Sequence, residues 1–314
     1  MKQFLNDLRT ELKSKGFSDF EIADIISDHE EMFQTAMNDG QSVEEILSKL
    51  GNPKRLASDL ADSEHKTTHD EMDSDYHLWQ SFPGPFVALN VFVKMINEDI
   101  VYRRSANDAV HILYEGDGKV SDYNLSLDGE QLRLESKKER GFFLFGHGRI
   151  LNFVIEIPDG LEMLEHHGVN GDYQLLGIKG KGAKIVTTNG DMQLEDLSFD
   201  TLTWHTVNGD IDAKHLKLRQ LESHQVSGDI DMTDSEVRER FYVHTVSGDI
   251  DVNHAQIGSL DIETVSGDFS GEECYPKEIS FRSVSGDIDV KNRTRTEIKI
   301  LNTRSISGDI NIDH

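Results

Sequence analysis

One phrase recurs through the C-terminal half of this chain: Val246-Ser247-Gly248-Asp249-Ile250-Asp251-Val252, with versions centred on Gly171, Gly190, Gly209, Gly228, Gly267, Gly286 and Gly308. Successive glycines stand 19, 19, 19, 20, 19, 19 and 22 residues apart. A fixed period of this length means stacked units, each too small to bury its own apolar face alone. A repeat this short cannot hold two packed helices, and the copies are rich in Val, Ile and Thr with almost no Pro. The architecture that remains is a parallel β-solenoid with about 19 residues per coil. At about 4.8 Å per coil, eight coils extend roughly 40 Å.

Alignment on the glycine produces columns. Two residues after it stand Tyr173, Met192, Ile211, Ile230, Ile250, Phe269, Ile288 and Ile310. Four after it stand Leu175, Leu194, Ala213, Met232, Val252, Gly271, Val290 and Ile312, and seven before it Leu164, Ala183, Leu202, Leu221, Phe241, Leu260, Ile279 and Leu301. Alternation of these columns with polar ones is the pattern of strands with one buried face. The glycine marks a corner that needs positive φ or close approach between coils.

Aspartate follows every one of these glycines, at Asp172, Asp191, Asp210, Asp229, Asp249, Asp268, Asp287 and Asp309. Carboxylates stacked one coil apart repel, so something must compensate. An aspartate in a turn can accept from amides one or two residues on. The alternative is a cation ladder over Asp229, Asp249 and Asp287, reinforced by a second acidic column at Asp231, Asp251 and Asp289, with Asp212 also in it; the glycine-rich nonapeptide of calcium-binding solenoids is absent. Four residues before the glycine the column reads His167, Val186, His205, His224, His244, Glu263, Arg282 and Arg304. His205, His224 and His244 fall on successive coils, either as a metal-holding ladder or as a solvent-facing polar one titrating near neutral pH. Trp204 and Tyr242 lie in neighbouring columns, where an exposed ring could stack on a sugar. Cys274, placed with Tyr275-Pro276 in an irregular loop, has no marked catalytic partner and reads as an inert thiol.

Upstream, the pattern changes. Over 1–61, Phe4, Leu5, Leu8 and Leu12 keep helical spacing up to Gly16, and Ser18–Glu21 and Ser42–Glu45 have the capping-box form. Gly51-Asn52-Pro53 closes a third helix, with Pro53 suited to open a fourth. Residues 62–80 read as an acidic linker; His65 and His69, four apart, would share a helix face but stand in a stretch without apolar periodicity. Residues 81–163 alternate as strands, with Asp128-Gly129 as a hairpin turn and an apolar Phe142–Phe145 patch. This region is expected to be a less regular β-structure that caps the solenoid of 164–314. The fold class is thus a small all-α N-terminal domain followed by an all-β parallel β-solenoid.

The formal net charge of −26 over 314 residues disfavours nucleic acid and anionic lipid as partners. A single cysteine excludes an internal disulfide and fits a reducing compartment. Residues 1–16 lack the apolar core of a signal peptide, and no run approaches the roughly 20 apolar residues of a membrane helix. These signals favour a cytoplasmic chain, with non-classical export to the cell surface as the alternative.

Phe4-Leu5, Leu8, Leu12, the acidic Asp28–Glu31 before Phe33, and Leu50-Gly51-Asn52-Pro53 together resemble the HAAS domain of bacterial envelope-associated proteins. The Gly-Asp repeats, preceded by Ile157-Pro158-Asp159-Gly160, resemble the bacterial putative-adhesin β-strand-repeat family of unknown function. The combination looks like the architecture of LiaX-type envelope-stress proteins of Gram-positive bacteria. The resemblance implies a non-enzymatic interaction or scaffold protein linked to envelope-stress sensing. Residues 1–61 would hold a protein partner and the solenoid face a cell-wall or peptide ligand, with no cofactor. A cation-binding surface adhesin is the first alternative. A carbohydrate-active β-solenoid enzyme is the second; its chemistry needs a local break in the repeat. The best such break is Glu263, Arg282 and Arg304, with Arg219 and Arg240 near. An open last coil, Gly308–Ile312, would also permit a homodimer unless Lys291, Arg293 and Arg295 blunt its edge.

Overall fold

The structure, a computed structural model, describes residues 2–14, 22, 26, 52–54, 76–137, 150–294 and 297–312. They fall into two units, Met1–Tyr76 and His77–His314. In the first, the helix Lys2–Ser14 buries Phe4, Leu5, Leu8 and Leu12, the stripe that the spacing predicts. Ile22 and Ile26 are helical and buried. Pro53 and Lys54 are helical too, and Asn52 Oδ1 accepts from the Lys54 amide at 2.8 Å, capping the helix that Pro53 opens. Both capping boxes, and His65 and His69, lie outside the described residues.

The second unit is a parallel β-solenoid of two sheets, one of 12 strands and one of 11. Each full coil contributes a short strand, such as Ile250–Asn253, and a long one, such as Ala255–Ser266. The short strands stack without slip, so that Ile211, Ile230 and Ile250 are direct neighbours. In the long sheet the 20-residue step appears as a bulge, Leu218 facing Val237 and Gln220 facing Arg240. The extra residue is absorbed where the strand bends, and the columns on both sides stay aligned.

Residues 81–163 are more regular than their sequence suggests. Leu89–Lys94 pairs in parallel with Leu161–His167 in the long sheet, and Ile100–Arg104 with Tyr173–Leu176 in the short one. A further coil therefore precedes the first Gly-Asp copy. Among the described residues, antiparallel pairing is confined to His77–Phe82 with Val110–Glu115, Val110–Glu115 with Asn152–Ile157, and the hairpin Tyr123–Asp128 with Gln131–Ser136. These elements form the cap. Its first strand begins at His77, inside the stretch expected to be linker.

Two corners close each coil. At the Gly-Asp corner Gly248 has φ +124, and a Cβ there would collide with the carbonyl oxygen of Gly228 one coil earlier. Opposite it, six coils place Gly177, Asp196, His215, Asp234, His254 and Glu273 in the left-handed region, with φ between 50 and 66. Asp and His are among the few side chains that visit it readily. The corner amides bond coil to coil, Asp196 N–H to the Lys214 carbonyl at 3.1 Å and His215 N–H to that of Thr233 at 3.2 Å.

The core lies between the sheets. All three apolar columns read from sequence are buried through the central coils. Trp204, considered as an exposed stacking platform, is instead fully buried, with its indole N–H on Ser223 Oγ. It sits two residues from buried Leu202 on one strand, so the pleat carries both inward. Cys274 is not in a loop: it opens the strand Cys274–Ser285 in a buried column with Leu197, Leu216 and Ala255. Burial pushes its thiol up to about 12, which leaves no thiolate near neutral pH. In the last described coil a register slip sets Ile300 beside Ile279, and Ile300, Leu301 and Ile310 stay exposed.

Candidate binding surface

The aspartates solve their repulsion differently from the local turn expected of them. Each carboxylate accepts the amide of the next coil's aspartate: Asp191 N–H to Asp172, Asp210 to Asp191, Asp229 to Asp210 and Asp268 to Asp249, all at 2.9 Å. Asp249 reaches Asp229 at 2.7 Å, Asp287 reaches Asp268 at 2.8 Å, and Asp309 reaches Asp287 at 2.7 Å. The donor is thus one coil on, not one or two residues on. The ladder starts at Asp99, which receives the Asp172 amide at 2.9 Å. Asp99 precedes buried Ile100 as Asp249 precedes Ile250, a signal present in the sequence without its glycine. Hydrogen bonds to a charged acceptor contribute about 1.5–3 kcal/mol each when shielded, and less at an exposed corner such as this.

Beside it runs an amide ladder. Asn170 donates to Asn97 and Asn189 to Asn170 at 2.7 Å, Asn208 to Asn189 at 2.9 Å, and Ser227 Oγ to Asn208 at 2.6 Å. These rungs lock the corner, so the outward columns next to it are held in strict register.

The feature not singled out from sequence lies two residues before the glycine. Val207, Val226, Val246, Val265 and Val284 are 40 to 49% exposed, and Ile306 is 71% exposed. The adjoining column, three before the glycine, is polar yet buried: Thr187, Thr206, Gln225, Thr245, Thr264 and Ser283. Several of these make their bonds to backbone carbonyls, Thr245 Oγ1 to Ser247 at 3.1 Å and Gln225 Nε2 to Gly209 at 3.3 Å. Polar side chains turned inward and valines turned outward invert the usual pattern. Strand parity carried on from buried Leu202 and Trp204 would have exposed the inversion. The result is a continuous apolar stripe on an otherwise polar face.

The column four before the glycine borders the stripe and pairs in register from His205 through His224, His244, Glu263 and Arg282 to Arg304. The His205 and His224 rings stack 4.6 Å apart, and His224 and His244 lie 6.1 Å apart. His224 Nε2 meets Glu222 at 2.7 Å and His244 Nδ1 meets Glu263 at 3.5 Å, so ring nitrogens face carboxylates rather than a shared point. Partial burial, then the neighbouring His224 and Lys184, hold the His205 imidazole below its usual range.

The break is a charge network at Glu263 and Arg282, with Arg304 beside Arg282 in register but in no ion pair among the described residues. Arg282 contacts Glu263 and also Asp261 at 3.4 Å; Arg240 bonds Asp261 at 2.8 Å and lies 4.6 Å over the half-buried Tyr242 ring. Arg219 pairs elsewhere, with Glu239 at 2.9 Å. Upstream, the stripe passes through Thr188 and Val169 into a cleft of about 710 Å³ lined by Phe92, Lys94, Lys137 and His167.

The second acidic column is separate from these. Asp212, Asp231 and Asp251 stand in register on the short sheet and, among the described residues, make no ion pair or side-chain hydrogen bond. Partial burial, then Asp251, Asp212, Asp229 and Asp210, push the Asp231 carboxyl up.

The Toastrack DUF4097 family model matches residues 89–314 and the HAAS model matches residues 3–59. No curated protein matches the chain. Among solved structures, one described as a putative lipid binding protein from Parabacteroides distasonis ATCC 8503 is 17% identical, covers 77% of this chain and 98% of its own, and has a TM-score of 0.54. A second from the same organism, described as a putative adhesin, is 16% identical over 76% of this chain and 98% of its own, with a TM-score of 0.53. Both share the solenoid fold. With its repeats, ladders and matched span together, the chain belongs to the Toastrack DUF4097 family.

Proposed function

We propose that the chain is a non-enzymatic binding protein of the bacterial cell envelope, with the solenoid offering its valine stripe to an extended ligand. One observation carries this reading. The stripe keeps an apolar β-branched side chain exposed coil after coil beside charged neighbours that neutralise one another. The pairing of Arg240 and Arg282 with Asp261 and Glu263 supports a recognition surface, since a hydrolytic site would leave a carboxylate or base facing its substrate. The cleft at Lys94 and Lys137 supplies a polar anchor at one end. Residues 1–61 would hold a protein partner, and the envelope-stress setting rests on the HAAS resemblance of that segment.

The test uses the full chain and a Val226→Thr/Val246→Thr/Val265→Thr variant, which keeps β-branched side chains and removes apolar surface. Each is sedimented with bacterial wall sacculi and with membrane vesicles. Retention of wild type by either fraction, weakened about tenfold in the variant, is the expected result. Equal retention of the two, or none, sinks the proposal. Protease applied to intact cells then locates the chain: cleavage with a cytoplasmic control protected supports the envelope setting.

A second reading, a cation-dependent adhesin, is favoured by the unpaired Asp212, Asp231 and Asp251 column. Burial first, then the neighbouring aspartates, raise the Asp231 carboxyl, and a divalent cation would relieve the second of these.

A further inference from the structure

At the left-handed corner, Asp196 and His215 occupy the same position of successive coils, and Glu195 precedes Asp196 at the end of the strand Met192–Glu195. Among the described residues these three are the group of metal-ligating side chains whose donor atoms all come within 4.8 Å of one another. We propose that Glu195, Asp196 and His215 form a binding site for a divalent transition-metal ion of the zinc type.

The geometry is specific. His215 Nδ1 stands 3.4 Å from Asp196 Oδ1, longer than a good hydrogen bond. Two ligands of a tetrahedral ion with bonds near 2.0–2.1 Å are separated by about 3.4 Å. Imidazole and carboxylate thus sit at the spacing of one tetrahedral edge. Glu195 is half-buried and its carboxylate lies within 4.8 Å of the other two donors, so it can supply the third position and leave the fourth for water. The backbone is held on both sides, because the Asp196 and His215 amides donate to the coil that follows each. The imidazole and both carboxylates are therefore delivered from a fixed corner, with only side-chain freedom lost on binding.

The donor set selects the metal class. One nitrogen with two carboxylates suits zinc, nickel or copper better than calcium or magnesium, which take oxygen alone. Acid and imidazole continue to alternate up this corner through Asp234, His254 and Glu273. In that upper set the donor atoms do not all come within 4.8 Å among the described residues, and Glu273 is engaged already, accepting from the Tyr275 hydroxyl at 2.7 Å and the Arg293 amide at 2.9 Å. Neither Glu195 nor Asp196 has such a donor on its side chain, and the nearby cation, Lys214, is in register with Glu195 without an ion pair to it. The first triad is the one available to a metal. It lies across the coil from the His205, His224 and His244 column and is a different site.

Untagged full chain, stripped with chelator, is titrated with zinc chloride by calorimetry and with cobalt chloride by visible absorption. His215→Asn removes the imidazole and keeps a residue that tolerates the left-handed corner; Glu195→Gln is a second, milder variant. The expected result is a zinc site that weakens about tenfold or more in both variants, with the cobalt band lost in His215→Asn and retained in His224→Gln. Thermal melts of the metal-free variants verify folding. Zinc binding unchanged in both His215→Asn and Glu195→Gln, no zinc binding by wild type, or loss in His224→Gln instead, overturns the proposal.

Discussion

The Gly-Asp corner makes two separable demands on its glycine, and three substitutions pull them apart. Gly129, in the cap hairpin, has φ +58 and open space around the missing Cβ. Alanine there meets only the left-handed penalty, about 1–2 kcal/mol. Gly286 lies outside the positive-φ range, but a Cβ would strike the Gly267 carbonyl oxygen. The backbone must move, and the Asp287 amide bond to Asp268 at 2.8 Å moves with it. Losing such a bond costs about 1–3 kcal/mol. Gly248 carries both demands, φ +124 and the clash with Gly228, beside the Asp249–Asp229 bond of 2.7 Å. Gly248→Ala is therefore expected to cost about 2–5 kcal/mol, the rough sum of strain and bond loss. Urea unfolding followed by circular dichroism gives the three midpoints, and an unchanged slope is required for the comparison. If Gly248→Ala proves no more costly than Gly129→Ala, the coils are not held by this close approach, and the reading of the corner fails.

Two further outcomes are expected. His166 is fully buried, with Nδ1 at 2.6 Å from the Tyr102 hydroxyl and Nε2 without a partner, and burial drives its pKa down to about 3 from 6.5. The unfolded chain then binds the proton more tightly, so this group's contribution is present above pH 6.5 and is lost as pH falls toward 3. By pH 4.5 it should cost wild type about 2–3 kcal/mol, a loss that His166→Gln escapes; equal acid losses in the two proteins would refute it. For the cation reading, calcium at ten times its Kd should add about 1.4 kcal/mol of stability, seen as a raised melting temperature that magnesium or extra sodium chloride does not reproduce. Asp231→Asn should abolish the rise, and a calcium effect that survives it removes the column from consideration.

The repeat was legible because a solenoid writes its fold once per coil. Period, apolar columns and corner glycine were all visible in the chain, and the short strands stack as that period requires. The misreadings have physical causes. Trp204 reads as an exposed ring when only its polar sequence neighbours are considered, yet it shares strand parity with Leu202 and points inward. The valine stripe is not legible from hydropathy, which places apolar side chains inside, whereas here Thr206, Gln225 and Thr245 go in and bond to carbonyls. Asp99 was missed because its coil has Glu98 where the others have glycine; Glu98 ties that turn by accepting the Ile96 and Asn97 amides at 2.7 and 2.8 Å and the Tyr123 hydroxyl at 2.9 Å. The donor to each aspartate lies a full coil away, a distance at which local turn rules do not apply.

The division of labour between columns says where function can change without changing the fold. The Gly-Asp corner is constrained from both sides by neighbouring coils and keeps its two residues through all eight copies, whereas the three apolar inward columns change in size, as from Leu164 to Ala183 to Phe241, but not in apolar character. Outward columns meet solvent and their own ladder, and they change in charge: His to Glu to Arg along one, Asp to His to Glu along the left-handed corner. The valine column is outward and yet does not vary through five coils. Solvent exposure places no such demand on it, and neither does the core, because the side chains lie outside. Nor does strand propensity demand it, since Thr188 serves at the same position two coils before Val226. A uniform apolar choice under these conditions is what a ligand spanning several coils would require. On the proposed function the stripe, rather than any single side chain, would be the recognition element, and graded losses of ligand retention are expected as its valines are replaced one by one.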